Sequence, residues 1–186
     1  MIDSIHFDSF PNLESDRLVF RKFELSDAEN IFEIRSNKKV MQFMDSDLHK
    51  SVEVSNQFIH QNLNLYKNKS GIFWAIINKK SNEFIGDFSF WKIDHKNSRG
   101  EIGYSLNPEY WGNGYMSETI GTIIDFGFNQ LKLHSIEANI NPKNDKSKKL
   151  LLKSGFIKEA YFRENYYHNG KYLDSEIYSL LKLKQQ

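Results

Sequence analysis

The sequence predicts an α/β (α+β) fold in which helices flank a mixed β-sheet. Two runs rich in β-branched and aromatic residues, "GIFWAIIN" and "EFIGDFSFWKI", are separated only by "KKSN", which is typical of an antiparallel hairpin. After Pro108 the chain instead alternates between helical and strand-like segments. A sheet that contains both kinds of connection is mixed.

The first half of the chain shows a strand, two helices and three further strands. "DRLVFRKF" has the two-residue period of a strand, and "LSDAENIFEIRSN" follows with a Ser-Asp cap and helical spacing. From Ser51 to about Lys67, apolar residues recur at three- and four-residue steps, which predicts an amphipathic helix. The hairpin comes next, and "RGEIGYSLN" is the last strand before Pro108.

The second half alternates between helices and strands. We expect a helix from about Gly112 to Leu131, the strand "HSIEANIN", a helix from about Lys143 to Lys153, and the late strands "GFIKEAYFREN" and "SEIYSLLKL". Pro108 and Pro142 each follow a strand and precede a helix, a place that suits proline because it needs no ladder donor there. Ligands collect at the carboxyl ends of strands, so both crossings are candidate sites.

The composition narrows the class of protein. With 186 residues, of which 39% are hydrophobic, residues 1–186 are expected to form a single domain. The 25 Lys and Arg nearly balance the 24 Asp and Glu, so we expect neither a nucleic-acid partner nor a membrane partner. The absence of cysteine excludes thiolate nucleophiles and disulfides, and the six histidines lack metal-ligand spacing. We therefore expect a soluble cytoplasmic protein without a metal.

The stretch "WGNGYMS" places two glycines one residue apart at a helix start. Gly112 and Gly114 would let several helix-start amides face a phosphate. A P-loop needs Lys and then Ser or Thr after the last glycine, where this chain has Tyr115 and Met116. A dinucleotide fingerprint needs a third glycine where Ser117 stands. Taken alone, the glycine pair fits a plain surface turn equally well.

The same stretch resembles the acetyl-CoA turn of the GNAT N-acetyltransferases, Gln/Arg-x-x-Gly-x-Gly/Ala, with Trp111 and Met116 at the two variant positions. "WGNGY", preceded by "EIGYSLNPEY" and followed by Glu118, is similar to the RimJ/RimL subgroup. The segment "NINPKNDKSKKLLLKSGFIKEA" matches the family's second motif, Asn-x-x-Asn-x-x-Ser…Leu…Lys-x-Gly-Phe. The matching residues are Asn141, Asn144, Ser147, Leu151, Lys153, Gly155 and Phe156.

The resemblance implies a GNAT fold, with a mixed and mostly antiparallel sheet. It also implies transfer of acetyl from acetyl-CoA, as co-substrate, to a primary amine, such as a ribosomal protein N-terminus or a small molecule, by direct attack on the thioester. The implied cofactor-binding residues are Tyr104, Ser105, Leu106, Trp111, Gly112, Asn113, Gly114, Tyr115, Met116, Ser117, Asn141 and Asn144. By the same resemblance, "SNKKVMQFMDSDLHKS" is the lid on the acceptor side, and its Asp45 and Asp47 could attract an amine or simply be solvated.

Two residues are candidates for the chemistry. The strand period puts Glu101, Gly103 and Ser105 on one face, where Glu101 would take the amine proton, commonly through a water. The alternative for Glu101 is a surface carboxylate opposite a cation. Ser147 would donate a hydrogen bond to the departing thiolate, whereas its alternative, like that of Asn144, is to cap the helix start.

Other features leave alternatives open. Lys146, Lys148 and Lys149 could meet CoA phosphates or form a solvated face. The aromatic residues of "FSFW" and "YFRENYYHNGKY" could line an acceptor cleft, but we expect them to fill the core. A CoA-binding sensor or interaction module without turnover is the alternative function, and a nicotinamide-dinucleotide enzyme is a distant third. Exposed β edges would allow a homodimer.

Overall fold

The computed structural model of the protein describes residues 7–182. Its strands are β1 (Leu13–Glu14), β2 (Leu18–Lys22), β3 (Ile72–Asn78), β4 (Phe84–Asp94), β5 (Arg99–Leu106), β6 (Ser135–Ile140), β7 (Ile157–His168) and β8 (Lys171–Leu181). Its α-helices are α1 (Ala28–Arg35), α2 (Lys38–Met41), α3 (Val52–Lys67), α4 (Tyr115–Asp125) and α5 (Asp145–Lys153). The strands form one sheet in the order β1-β2-β3-β4-β5-β6-β8-β7.

The parallel pair of this sheet, β5 and β6, separates part-way along its length. All other neighbouring strands are antiparallel, and β4 pairs with β5 from Arg99 to Leu106. Within residues 7–182, β5 pairs with β6 only from Arg99 to Glu101, opposite residues 135–137. The two strands therefore diverge toward Pro108 and Pro142, which opens a gap between their carboxyl ends.

Two apolar layers sandwich the sheet. One face carries Trp74, Phe88 and Phe90, which pack with the apolar side of α4, and the other packs against α1 and α3 through Ile31 and Ile59. Each of these side chains is at least 98% buried, which contributes about 2 to 3 kcal/mol apiece. Within the described residues, no helix is long and apolar enough to cross a membrane.

The observed elements follow the predicted order, with corrections at their ends. The fourth helix begins at Tyr115 rather than Gly112, because both preceding glycines have a φ of 79° that no helix tolerates, and it continues into a π-helical turn at Phe126–Gln130. The cap predicted at the start of the first helix is displaced: Glu24 and Asp27 form a capping box around a 3-10 turn. β1 and α2 were not predicted.

Core filling was the wrong prediction for the aromatic residues of "YFRENYYHNGKY". Tyr161, Phe162, Tyr167 and Tyr172 are 46–66% exposed. Pairing of β8 with β6 stops at Glu176, so the second part of β7 (residues 162–168) and the first part of β8 (residues 171–175) project as a two-stranded ribbon. These four side chains stay in solvent, whereas Tyr166 of the same ribbon is half-buried beside the loop after α2.

Candidate active site

The glycine turn lies between β5 and α4, at one side of the gap. Gly112 and Gly114 are both left-handed and exposed, and a Cβ on Gly112 would meet nothing within 4 Å. Gly114 is the N-cap residue of α4 and brings no side chain to its first amides. These amides carry the positive end of the helix dipole, so the turn fits the diphosphate of a nucleotide cofactor.

Trp111 and Lys146 join the two strand-to-helix crossings at the rim of the gap. The Trp111 indole donates a hydrogen bond to the Leu106 carbonyl (2.8 Å), and the Lys146 ammonium lies 4.2 Å from the centre of the Trp111 ring. Lys148 is instead paired with Asp145 and Glu176, at 3.8 and 3.6 Å. Of the lysines that could meet phosphates, Lys148 is therefore already neutralised by carboxylates.

Tyr104 and Ser147 bridge the gap from β5 to α5. Their hydroxyl oxygens are 2.6 Å apart, and burial raises the pKa of Tyr104 to about 12, although its hydrogen bond with Ser147 opposes the rise. Tyr104 therefore keeps its proton at neutral pH. The helix cap is Asn144, whose side-chain oxygen accepts from the Ser147 amide (3.1 Å). Asn144 therefore caps the start of α5, whereas the Ser147 hydroxyl does not cap the helix and contacts Tyr104 instead.

Ser105 lies on the opposite face of β5, above a buried ion pair that the sequence did not reveal. Its hydroxyl donates to the Asp87 carboxylate, and a guanidinium nitrogen of Arg35 lies 3.8 Å from the other oxygen of Asp87. Burial raises the pKa of Asp87, while Arg35 and Ser105 oppose the rise. Arg35 is itself buried and stacked 3.8 Å from the centre of the Phe58 ring.

Glu101 occupies the point at which β5 and β6 separate. It pairs in register with Glu137 of β6 on one side and with Lys92 of β4 on the other. Burial, and next the negative charge of Glu137, raise the pKa of Glu101 to about 7. Lys92 and Arg99 lower this pKa, and Asp45 adds a smaller rise.

A cavity of about 30 Å³ adjoins the Glu101 carboxylate, lined by Lys92, Asp94, Arg99, Glu101 and Glu137. That volume has room for a single water. Among the described residues the ion pair at this cavity joins Arg99 to Glu137 (3.5 Å). Lys92 lies opposite Glu101, as the alternative of a carboxylate opposite a cation predicts. Arg99, however, forms its ion pair with Glu137.

Core filling was also the wrong prediction for Trp91, the last residue of "FSFW", whereas Phe88 and Phe90 are buried. A β-bulge between Phe90 and Lys92 leaves Trp91 43% exposed. A Cβ on Gly103 would lie 3.5 Å from the Trp91 ring, so the indole stands beside Gly103 on the face that carries Glu101. Bulges re-aim side chains next to sites, and only the register of the sheet reveals this one.

The predicted lid bounds a larger cavity of about 260 Å³. One wall of this cavity is α2 with the loop that follows it, and the other is the end of β6 with the β7–β8 ribbon. The lining residues are Lys38, Met41, Gln42, Phe43, Met44, Asp45, Ser46, Leu48, Asn141, Tyr166, His168, Asn169 and Leu173. Burial raises the pKa of Tyr166 to about 12, helped by its hydrogen bond with Asp45. Tyr166 also shares a hydrogen bond with Asn141, so this predicted cofactor residue lies on the lid side, whereas Asp47 is outside the cavity.

Comparison with known proteins decides the family. Residues 17–157 match the family model described as the acetyltransferase (GNAT) domain. The chain belongs to the GNAT acetyltransferase family. It is 39% identical to the N-acetyltransferase YoaA of Bacillus subtilis over 95% of this chain and 99% of YoaA.

Two solved GNAT structures show the same fold. A Bacillus anthracis acetyltransferase superposes with a TM-score of 0.83 at 28% identity, covering 92% of this chain and 98% of that one. The ribosomal-protein-S5-alanine acetyltransferase of Vibrio fischeri gives 0.81 at 28% identity, covering 95% and 99%. The predictions of a GNAT fold, a RimJ/RimL-like subgroup, N-acetyltransferase activity and acetyl-CoA as co-substrate are confirmed. Nothing in the comparisons supports a module without turnover.

Proposed function

We propose that this GNAT enzyme transfers acetyl directly from acetyl-CoA to a primary amine at the point where β5 and β6 separate. The observation that supports this most strongly is the end of strand pairing at Glu101, with the glycine turn and the start of α5 at the rim of the same gap. Acetyl-CoA supplies the thioester carbonyl. The protein contributes binding, orientation and proton transfer.

In this proposal the cofactor follows β5. The amides of residues 111–117 bind the diphosphate, and the backbone of residues 104–106, which β6 leaves unpaired, pairs with the pantetheine arm. Asn144 holds the first turn of α5, so the Ser147 hydroxyl stays at the gap. Asn141 reaches the acceptor side instead, through Tyr166.

Glu101 acts as the general base. The ammonium form of the acceptor first gives one proton to solvent, and the neutral amine then attacks the thioester carbonyl. As the new N–C bond forms, the nitrogen loses a second proton, which reaches the Glu101 carboxylate through a water. A pKa of about 7 leaves this carboxylate ionised at slightly alkaline pH and still basic enough to accept a proton. The C–S bond breaks, and the Ser147 hydroxyl, supported by Tyr104, donates to the departing sulfur.

The acceptor enters through the cavity beneath the lid. Its apolar walls, formed by residues such as Met41 and Leu173, suit a residue-sized group, and Asp45 attracts the ammonium form of the amine. The negative charge of Asp45 also contributes to the raised pKa of Glu101, which supports placing the cavity and the base in one site. The acceptor is a protein N-terminus or a small amine; the name of the Vibrio fischeri relative gives a ribosomal-protein alanine as the acceptor of that protein.

An acceptor screen tests this function. Release of free CoA thiol is followed for N-terminal peptides and small amines side by side, with Glu101→Gln as the control for uncatalysed transfer. The expected result is thiol release that depends on an amine and on Glu101. Failure of millimolar acetyl-CoA to raise the thermal midpoint would contradict the proposed binding mode, because a ligand of the folded state must stabilise it.

A homodimer through the β7 edge completes the proposal. β7 is the outer strand of the sheet, and Tyr161 and Phe162 on it are exposed. Light scattering should give twice the chain mass, and Phe162→Lys should give one chain mass. A monomeric wild-type protein at micromolar concentration would refute the dimer.

A further inference from the structure

The back of the glycine turn is held by a residue far away in the sequence. Arg17, just before β2, donates one guanidinium hydrogen bond to the Asn113 carbonyl (3.0 Å) and another to Glu118 (2.6 Å). Its guanidinium carbon lies 4.4 Å from the centre of the Tyr115 ring. The guanidinium group of Arg17 thus contacts the glycine turn at Asn113 and the first helical turn of α4 at Tyr115 and Glu118.

Glu118 fixes this arginine from the helix side. Its carboxylate accepts hydrogen bonds from the Ser15 hydroxyl (2.6 Å), the Arg17 amide (2.8 Å) and the Arg17 side chain. Burial tends to raise the pKa of Glu118, but these hydrogen bonds and the charge of Arg17 outweigh it and lower the pKa. Glu118 is therefore ionised at neutral pH, and its side chain is only 18% exposed.

The contact with the Asn113 carbonyl determines where the next amide points. The carbonyl of residue 113 and the N–H of Gly114 belong to one planar trans peptide, so they point in opposite directions. Arg17 holds the carbonyl on its own side of the turn. The Gly114 N–H is consequently turned to the other side, away from Arg17.

The charges point to the same arrangement. An ionised glutamate in the first turns of α4 would repel a diphosphate bound at the helix start. Arg17 covers Glu118 with an opposite charge at 2.6 Å and removes most of that repulsion. Both the geometry and the charge of the turn then depend on this one ion pair.

We propose that Arg17, held by Glu118, is a positioning residue that presents the Gly114 amide to the cofactor diphosphate. This inference rests on the proposed role of the glycine turn. Arg17 does not need to touch the cofactor for this task. Its side chain acts from the back of the turn, through the peptide plane and through the neutralised carboxylate.

Calorimetric binding of CoA and of 3′-dephospho-CoA tests the inference. Arg17→Ala and Glu118→Ala should each lower the affinity for both ligands about five- to tenfold. The double variant should bind no more weakly than the single variant with the lower affinity, because the two residues act as a unit. Arg17→Lys keeps the charge but not the planar fork, so it should also bind less tightly than wild type. In the unliganded protein, the Gly114 amide NMR signal should move in all these variants.

The matched control is Lys79→Ala, which breaks the exposed side-chain pair between Lys79 and Glu14 (2.9 Å) and keeps the Lys79 amide that donates to the Arg17 carbonyl (2.9 Å). It should change neither CoA affinity nor the Gly114 signal. Thermal midpoints measured without ligand show whether each variant folds. If Arg17→Ala does not fold, the affinities of Arg17→Lys and Glu118→Ala test the inference instead.

Three results would overturn the inference. If Glu118→Ala binds CoA as well as wild type or better while Arg17→Ala loses affinity, Arg17 acts through its charge alone, by attracting the cofactor or by covering Glu118, and not by orienting the Gly114 amide. If Arg17→Ala lowers the affinity for CoA but not for 3′-dephospho-CoA, Arg17 contacts the 3′-phosphate. If both variants bind normally while Gly114→Val does not, the turn binds the cofactor without this pair. A wild-type protein that fails to bind CoA would instead reject the proposed function itself.

Discussion

Glu101→Gln should make the protein less active and, at alkaline pH, more stable. The pKa of this carboxyl is raised to about 7 in the folded protein, against 4.5 for an ordinary glutamate. A group with a raised acidic pKa costs stability once it must ionise: the cost is absent below about pH 4.5, grows up to pH 7, and is complete above it. Glutamine cannot ionise and escapes this cost.

The magnitude follows from the size of that rise. At about 1.4 kcal/mol for each unit of pKa, the upper limit for the gain in the free energy of unfolding is roughly 3 kcal/mol. Because the carboxylate keeps part of its surface in solvent, screening reduces the expected gain to about 1 to 2 kcal/mol. For a chain of this length, that gain corresponds to a thermal midpoint higher by about 2 to 8 °C at pH 8.5.

The assay compares thermal midpoints of wild type and Glu101→Gln at pH 5 and pH 8.5, and acetyl transfer between pH 6 and 9. Turnover should fall by about 10²-fold or more with unchanged CoA binding, and the variant should recover part of its deficit at high pH, where more amine is neutral. The wild-type rate should rise with pH through about 7, because the base must be ionised.

Glu137→Gln is the matched control, since Glu137 lies beside Glu101 on β6. It should stay active, and its rate should rise at a lower pH than in wild type, because removing a neighbouring negative charge lowers the pKa of Glu101. If Glu101→Gln is as active as wild type across this range, or if it loses stability at pH 8.5, Glu101 is a structural strand residue and not the base.

Three further variants test the rest of the site. Gly114→Val should abolish cofactor binding while the fold survives, because a β-branched residue resists a φ of 79° and crowds the turn; calorimetry with Gly121→Val as control measures this, and normal affinity would exclude the turn. Ser147→Ala should lower kcat by about tenfold, less than Glu101→Gln, since it removes a donor rather than a base, and an unchanged rate would leave Ser147 without a catalytic role. Asp45→Asn should raise KM for a cationic acceptor several-fold with kcat nearly unchanged, whereas Asp47→Asn, outside the cavity, should not; equal KM values would remove Asp45 from acceptor binding.

The order of the main elements was predictable because hydrophobic period is a local property of the chain. β1 and α2 escaped prediction, since elements of two and four residues are too short to show a period. The exposed ribbon of β7 and β8 escaped for another reason. Aromatic composition is the same in a core and in a projecting ribbon, and only the end of pairing at Glu176 separates the two.

The same limit applies to the site. The glycine turn could be located because left-handed backbone at Gly112 and Gly114 depends on single residues, but only the resemblance to the acetyl-CoA motif assigned a ligand to it. The pairs that surround it are long-range: Arg17 and Glu118 are 101 positions apart, and Tyr104 and Ser147 are 43 apart. Such contacts depend on strand register and helix placement, which no local pattern contains.

The end of pairing between β5 and β6 accounts for both halves of the proposed chemistry. Up to Glu101, β5 is bonded to a strand on each side, so the backbone that carries the base is held by two ladders. One residue later β6 departs, and the same strand offers an unpaired edge to an extended ligand. In the proposed mechanism one strand thus positions both the base and the thioester, a few ångströms of rise apart. Glu101 is still paired with Glu137 of β6, and burial together with the negative charge of Glu137 raises its pKa, so the stability that the protein loses by ionising this carboxylate is the cost of the position proposed for the base.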